Sequence, residues 1–138
     1  MRVVLDTNVL LSALISPHST SDTIYRAWRA AKFNLVTSLI QLDELRRASR
    51  YPKFKAILQS ARVGAMINNL QHAIVLECLT TKIKMEIDDP ADVFLLEMSM
   101  EGNADYLVTG DRRAGLLKRK NVERTRILTP ADFCLEVL

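Results

Sequence analysis

The stretch Arg2-Val3-Val4-Leu5-Asp6-Thr7-Asn8-Val9 decides the architecture. Arg2 to Leu5 is a short run of β-branched and aliphatic residues without polar alternation, the pattern of a strand buried on both faces. It stops at Asp6, and Asn8 to Ile15 reads as a helix that ends before Pro17. A strand feeding directly into a helix opens a β–α unit, and the alternation continues along the chain. Ser21-Asp22 is read as the cap of a helix running to about Ala31, with Ile24, Ala27, Trp28 and Ala31 on one face. Asn34 to Thr37 is a second strand. Ser38 caps the next helix, whose Leu39, Leu42 and Leu45 recur at intervals of three, and Tyr51-Pro52 closes it. Two further helices fill Lys53 to about Ala73, with Gly64 as a weak break. Ala73 to Leu79 reads as a third strand and Thr80 to Ile87 as a polar connection. Asp89-Pro90 opens a helix through about Glu101, striped by Val93, Leu96 and Met100. Tyr106 to Thr109 is a fourth strand, Ile127-Leu128 a short fifth, and Thr129-Pro130 caps the last helix. The expected architecture is an α/β sandwich, with a central, mainly parallel sheet of about five short strands, in one domain spanning residues 1–138. No internal repeat or linker is visible.

Composition supports that reading. The chain has 138 residues, 49% of them apolar, enough for one compact domain with a substantial core. Four glycines and four prolines exclude collagen-like and low-complexity classes, and a charged fraction of 25% argues against general disorder. The net charge of +3 admits a polyanionic partner without requiring one. Cys78 and Cys134 are too few for a disulfide framework or a zinc site, and are read as reduced core thiols of a cytoplasmic protein. No apolar run approaches the roughly 20 residues of a membrane helix. Met1-Arg2 leads straight into the first strand, leaving no room for the apolar core of a secretory signal.

Charge is unevenly distributed. Residues 1–76 hold 10 Lys or Arg against 4 acids, residues 77–111 hold 9 acids against 2 Lys, and residues 112–126 hold 7 Lys or Arg against Glu123. This is either a set of solvated helix faces or an acidic pocket bordered by phosphate-binding cations.

Open parallel sheets bind ligands beyond the carboxyl ends of their strands. Asp6 follows the first strand, Asp111 follows the fourth, Asp92 lies in the first turn of the helix before the fourth, and Glu44 lies on the helix after the second. Four carboxylates from distant positions therefore have a route to one place. Such a cluster cannot remain fully ionised without a cation. A hard divalent ion such as Mg²⁺ or Mn²⁺ takes oxygen ligands and resolves the conflict. Each acid also has an ordinary structural reading. Asp6 is placed as a turn or cap residue, Asp89-Pro90-Ala91-Asp92 as a helix start with Asp89 at the N-cap, Asp111 as a cap, and Glu44 as a partner of Arg47. A capping oxygen still presents itself to a metal, so the two readings coexist.

The string Val4-Leu5-Asp6-Thr7-Asn8-Val9, Glu44 within Leu42-Asp43-Glu44-Leu45, Asp89-Pro90-Ala91-Asp92 before Phe94-Leu95, and Ala104-Asp105-Tyr106-Leu107-Val108-Thr109-Gly110-Asp111 together resemble the PIN domain, and more narrowly its VapC-like toxin branch. The resemblance runs over nearly the whole chain in the right order. It implies a three-layer α/β/α fold and a ribonuclease dependent on Mg²⁺ or Mn²⁺. It also implies RNA products with 5′-phosphate and 3′-hydroxyl ends, a cognate antitoxin protein, and a homodimer or higher oligomer. Carried over by motif, Asp6, Glu44, Asp92 and Asp111 form the catalytic and metal-binding set, with Asp43 and Asp89 as neighbouring candidates. Asn8 and Thr109 are polar supports. One departure stands out: where many relatives carry another carboxylate two positions after the last motif aspartate, this chain has Arg113, which cannot ligate a metal.

Two basic clusters are candidates for guiding RNA: Arg46, Arg47, Arg50, Lys53 and Lys55, and Arg112, Arg113, Lys118, Arg119 and Lys120. Rings available for base stacking are few (Tyr25, Trp28, Tyr51, Phe54), and the helical spacing of Trp28 favours core or partner contact over stacking. Trp28, Ile57, Leu58 and Met66 are candidates for an exposed apolar surface. The rival reading is a catalytically inactive PIN-like module that binds RNA or protein. A haloacid-dehalogenase-type phosphatase would need a second acid where Asn8 stands, a receiver domain would need paired acids near the first strand, and no glycine-rich phosphate loop is present. His18 and His72 have no partner motif and are read as surface or core polar residues.

Overall fold

The computed structural model describes residues 1–83, 87, 89–110 and 116–138. Among them the chain alternates strands and helices: β1 (Arg2–Leu5), α1 (Thr7–Ile15), α2 (Thr20–Arg29), β2 (Asn34–Ser38), α3 (Leu39–Ser49), α4 (Pro52–Lys55), α5 (Ser60–Leu70), β3 (Ile74–Leu76), α6 (Pro90–Glu101), β4 (Tyr106–Val108), α7 (Leu116–Arg119), β5 (Asn121–Val122), β6 (Thr125–Leu128) and α8 (Pro130–Glu136).

The strands form one sheet in the order β3-β2-β1-β4-β6-β5. All pairs are parallel except β5 with β6. Side chains alternate across the strands, so successive apolar residues feed opposite cores. Val3 and Leu5 of β1, Leu35 of β2, Val108 of β4 and Leu128 of β6 pack with residues of α1, α2, α3, α5 and α8. Val4, Val36, Leu107 and Ile127 pack with Leu95, Leu96 and Met98 of α6 and Leu116 of α7. Helices thus cover both faces, giving the three-layer α/β/α sandwich. The continuous apolar run of β1 follows from this, because Val3, Val4 and Leu5 are each at most 1% exposed.

The strand order fixes where a site can form. The chain steps outward from β1 through β2 to β3, then crosses back to β4 beside β1 and continues the other way. The order therefore reverses between β1 and β4, and at such a reversal the crossovers diverge and leave a crevice at the carboxyl ends of the strands. The Gly102 carbonyl at the C-terminal end of α6 accepts from Arg2 at the amino end of β1, at 3.0 Å, so the N-terminal turn of α6 lies toward the opposite, crevice end of the sheet.

Several expectations need correction. The sheet has six strands rather than about five. The additional β5 pairs through a tight turn in which Glu123 adopts φ 53°, a position usually taken by Gly or Asn, so no turn signature marked the hairpin. The third strand is only Ile74–Leu76. The cap of α2 is Ser19, whose hydroxyl accepts from the Asp22 N–H at 3.1 Å, and not Ser21 or Asp22. Gly64 lies inside α5, and the break between the two helices falls at 56–59. Cys78 is exposed and Cys134 half-buried, so neither is a core thiol, and both are free. Trp28 and Met66 are buried and supply no exposed apolar surface, whereas Ile57 does. His18 and His72 are exposed. Among the described residues no helix is long and apolar enough to cross a membrane.

Candidate carboxylate site

Asp6 is the first residue beyond β1. Its backbone N–H still bonds to the Val108 carbonyl of β4 at 2.9 Å, while its side chain caps α1 by accepting from the Asn8 N–H at 3.1 Å. The second carboxylate oxygen accepts from the Thr109 hydroxyl at 2.8 Å. Thr109 is fully buried just past β4, so this bond ties together the carboxyl ends of the two strands that flank the reversal. Asp6 is thus a cap and a fixed, partly exposed carboxylate at once. Asn8 supports it through the backbone, and its side chain is exposed.

Glu44 approaches from α3. Ser38 caps that helix by accepting from the Gln41 N–H, and Leu42, Leu45 and Ala48 bury the helix against the sheet. Glu44 lies half-buried beside this apolar stripe and accepts from the Thr7 hydroxyl at 3.3 Å. Burial pushes its pKa above the usual 4.5, with the negative charge of Asp6 acting in the same direction. The Thr7 hydrogen bond and, more weakly, Arg47 oppose the rise. The bond from Glu44 to Thr7, the residue after Asp6, brings two acids 38 positions apart in sequence to the same end of the sheet. Its neighbour Asp43 is exposed and pairs with Arg47 at 3.4 Å.

Asp92 occupies the first turn of α6 and is 3% exposed. Asp89 is the N-cap there, accepting from the Ala91 N–H at 2.9 Å, with Pro90 at the first helical position. Asp111, Arg112 and Arg113 lie outside the described residues. Among the described residues no group of three or more His, Cys, Asp or Glu stands ready to hold an ion.

The family model for the PIN domain matches residues 2–113. The chain belongs to the PIN-domain family. No curated protein sequence matches it. Among solved structures, the PIN-domain chain is similar to VapBC2 from Rickettsia felis, solved bound to a DNA fragment from their promoter. The similarity covers 94% of this chain and 98% of that one, with a TM-score of 0.60 and 19% identity, a likeness of fold.

Among the described residues of this PIN domain, the basic side chains around α3 and α4 take different surroundings. Arg46, Arg50 and Lys55 border a cleft of about 480 Å³ between α3, α4 and α5, floored by Leu58, Val63 and Ile67. Arg46 is two residues beyond Glu44, roughly 200° around the helix, so this cleft opens away from the Glu44 side. Arg47 is paired with Asp43, and Lys53 lies over the Phe54 ring at 4.8 Å. The single-cluster expectation is corrected accordingly. Among the candidate rings, Trp28 is buried and Tyr51 is exposed.

Sequence reasoning missed Thr7, Thr37 and Gln41. All three are buried, and they link the sheet to Glu44. Gln41 could have been flagged, because it shares the helix face of Leu45 and Ala48 at i+4 and i+7. A polar side chain on an apolar stripe must find partners.

Proposed function

We propose that this PIN domain is a divalent-metal-dependent ribonuclease, the toxin of a toxin–antitoxin pair. The observation that carries the reading is Asp6, held by Thr109 and the Asn8 N–H at the strand-order reversal, with Glu44 bonded to the adjacent Thr7 hydroxyl. Membership of the PIN family and the fold shared with a VapBC2 structure support it. The donor set suits Mg²⁺ or Mn²⁺: the candidate ligands are hard carboxylate oxygens, and Mg²⁺ commonly keeps several waters beside only one or two of them. Asp6 and Glu44 would hold the ion, with Asp92 and Asp111 assigned from the sequence as the further acids. A second metal would find no carboxylate at Arg113.

When bound, the ion supplies Lewis-acid charge at the phosphate and makes water more acidic. The reaction adds water across a P–O3′ bond, leaving 5′-phosphate and 3′-hydroxyl ends. Asp6 keeps its oxygens fixed because both are already anchored. Glu44 orients the attacking water, and the Thr7 hydroxyl holds its carboxylate for that task. Arg46 and Arg47, and Arg112 and Arg113 on sequence grounds, neutralise RNA phosphates outside the crevice, so affinity falls with added salt. The partner expected by analogy with the VapBC2 complex is an antitoxin protein, and the free toxin is expected to be a homodimer or larger, acting in the cytoplasm.

The test is cleavage of a labelled single-stranded RNA with Mn²⁺, Mg²⁺ or EDTA, comparing wild type with Asp6→Asn. Metal-dependent cuts that vanish in the variant support the reading. Cleavage that persists in pure Asp6→Asn protein overturns the site. A wild type that neither cuts nor binds Mn²⁺ by calorimetry moves the assignment to a non-catalytic binding module.

A further inference from the structure

Gln41 is 1% exposed, yet its carboxamide is fully engaged. Its oxygen accepts from the Thr37 hydroxyl at 2.6 Å, and its nitrogen donates to the Leu5 carbonyl at 2.7 Å and to the Thr7 hydroxyl at 3.4 Å. The amide orientation follows from chemistry. The Leu5 carbonyl can only accept, so the nitrogen must face it, and the oxygen must then face Thr37. A threonine hydroxyl has one proton. When Gln41 donates to Thr7, that proton is left for Glu44, which accepts it at 3.3 Å. A flipped carboxamide would set two oxygens against each other at Leu5 and draw the Thr7 proton away from Glu44.

Resting on the nuclease reading above, we infer that Gln41 is a positioning residue of the carboxylate site. Its carboxamide, locked by Thr37 and the Leu5 carbonyl, sets the Thr7 hydroxyl as a donor that holds Glu44 against the end of β1. The short bonds at 2.6 and 2.7 Å form the rigid clamp, and the longer Thr7 contacts form the yielding joint. Leu5 immediately precedes Asp6, so one side chain fixes the strand end that carries Asp6 and the hydroxyl that holds Glu44. Outer partners of this kind set the orientation of ligating carboxylates.

The test is Mn²⁺ binding to the full chain by calorimetry, with RNA cleavage alongside. Gln41→Met keeps the volume and removes the amide, Thr7→Val removes the hydroxyl, and Thr7→Ser restores it. Gln41→Met and Thr7→Val are each expected to weaken Mn²⁺ binding roughly tenfold, with Thr7→Ser near wild type. The double variant should bind no more weakly than Thr7→Val, because both residues act along one path. A purely structural role would instead give losses that multiply, and that result overturns the inference. So does wild-type affinity, within about twofold, in both single variants. If Gln41→Met does not fold, Thr37→Val, which removes the hydroxyl that locks the carboxamide, takes its place, and wild-type Mn²⁺ affinity there overturns the inference. If wild type itself binds no Mn²⁺, the nuclease reading fails and the inference falls with it. Unchanged affinity in the variants, with wild type binding, removes the Gln41 assignment only.

Discussion

Thr109→Val should separate the positioning of Asp6 from the stability of the sheet. The change is nearly isosteric and replaces the hydroxyl that donates to Asp6 at 2.8 Å with a methyl group. A hydrogen bond to a charged group contributes roughly 1.5–3 kcal/mol. Asp6 is partly exposed, so water takes up some of the lost interaction and the lower end applies, about 1.5 kcal/mol. For a chain of 138 residues that corresponds to a fall in Tm of about 5 °C. Asp6 also loses its anchor to β4, and Mn²⁺ affinity should fall about tenfold. Thr109→Ser makes the opposite exchange. It keeps the hydroxyl and gives up one buried methyl, at about 1 kcal/mol, so it should lose stability and retain metal affinity. Urea unfolding of metal-free protein measures the first quantity and calorimetry with Mn²⁺ the second. If Thr109→Val binds Mn²⁺ like wild type and unfolds at the same urea concentration, the bond does not hold Asp6 in solution and the reasoning is refuted.

Glu44→Gln should stabilise the metal-free protein at neutral pH. Burial raises the folded pKa of Glu44 above 4.5, so the native state binds its proton more tightly than the unfolded chain, and stability is lost as pH rises through the folded pKa. In EDTA the advantage of the variant should be absent near about pH 4 and present near about pH 7, and urea midpoints that move together at both would contradict the assignment. Asp105 titrates with the opposite sign. The Arg2 N–H, then the Arg124 guanidinium, hold its carboxyl below the usual 3.8, so its contribution is present above that pH and lost as pH falls through the folded pKa. Asp105→Asn should flatten the acid limb of the stability profile. Gly102→Ala places a Cβ 2.5 Å from Val36 Cγ1 and 3.2 Å from the Met98 carbonyl, and overpacking of this kind costs about 1–3 kcal/mol, measurable as a lower Tm.

The fold was readable where periodicity and punctuation agreed. Val3-Val4-Leu5 announced a doubly buried strand because each face feeds its own core, and Asp89-Pro90 announced α6 because the cap and the fixed proline φ act locally. The β5–β6 hairpin was not readable, since Glu123 supplies its left-handed residue without the usual Gly or Asn. At the site, Asp6 and Thr109 could be found because each sits at a strand end. Gln41 was overlooked because its partners are a backbone carbonyl and two hydroxyls from other elements. Thr37 is only four residues away, but Leu5 and Thr7 reach Gln41 through the pairing of β1 with β2, which no local pattern encodes. The first basic cluster was only partly legible for a related reason: Arg46, Arg50 and Lys55 share one cleft, and Arg47 does not line it. Arg46 and Arg47 are adjacent in sequence, but about 100° apart around α3, which sends one to the cleft and the other to Asp43.

Asp6 serves two purposes, and the choice of substitution decides which of them an experiment reads. Its side chain caps α1 through the Asn8 N–H and accepts from Thr109. Asn is about as good an N-cap as Asp, and its amide oxygen can keep one of the two bonds, so Asp6→Asn removes the charge while sparing most of the helix start. Asp6→Ala removes both, and loss of a cap alone costs about 1 kcal/mol. The expected order of stability in EDTA is therefore wild type close to Asp6→Asn, with Asp6→Ala lower by at least the capping term. The expected order of RNA cleavage is wild type alone active. Urea unfolding beside the cleavage assay tests both orders at once. An Asp6→Ala protein as stable as Asp6→Asn would show that the cap contributes nothing to the fold. Asp6 would then owe its place at the end of β1 to the site, and the bond from Thr109 would be the feature to follow.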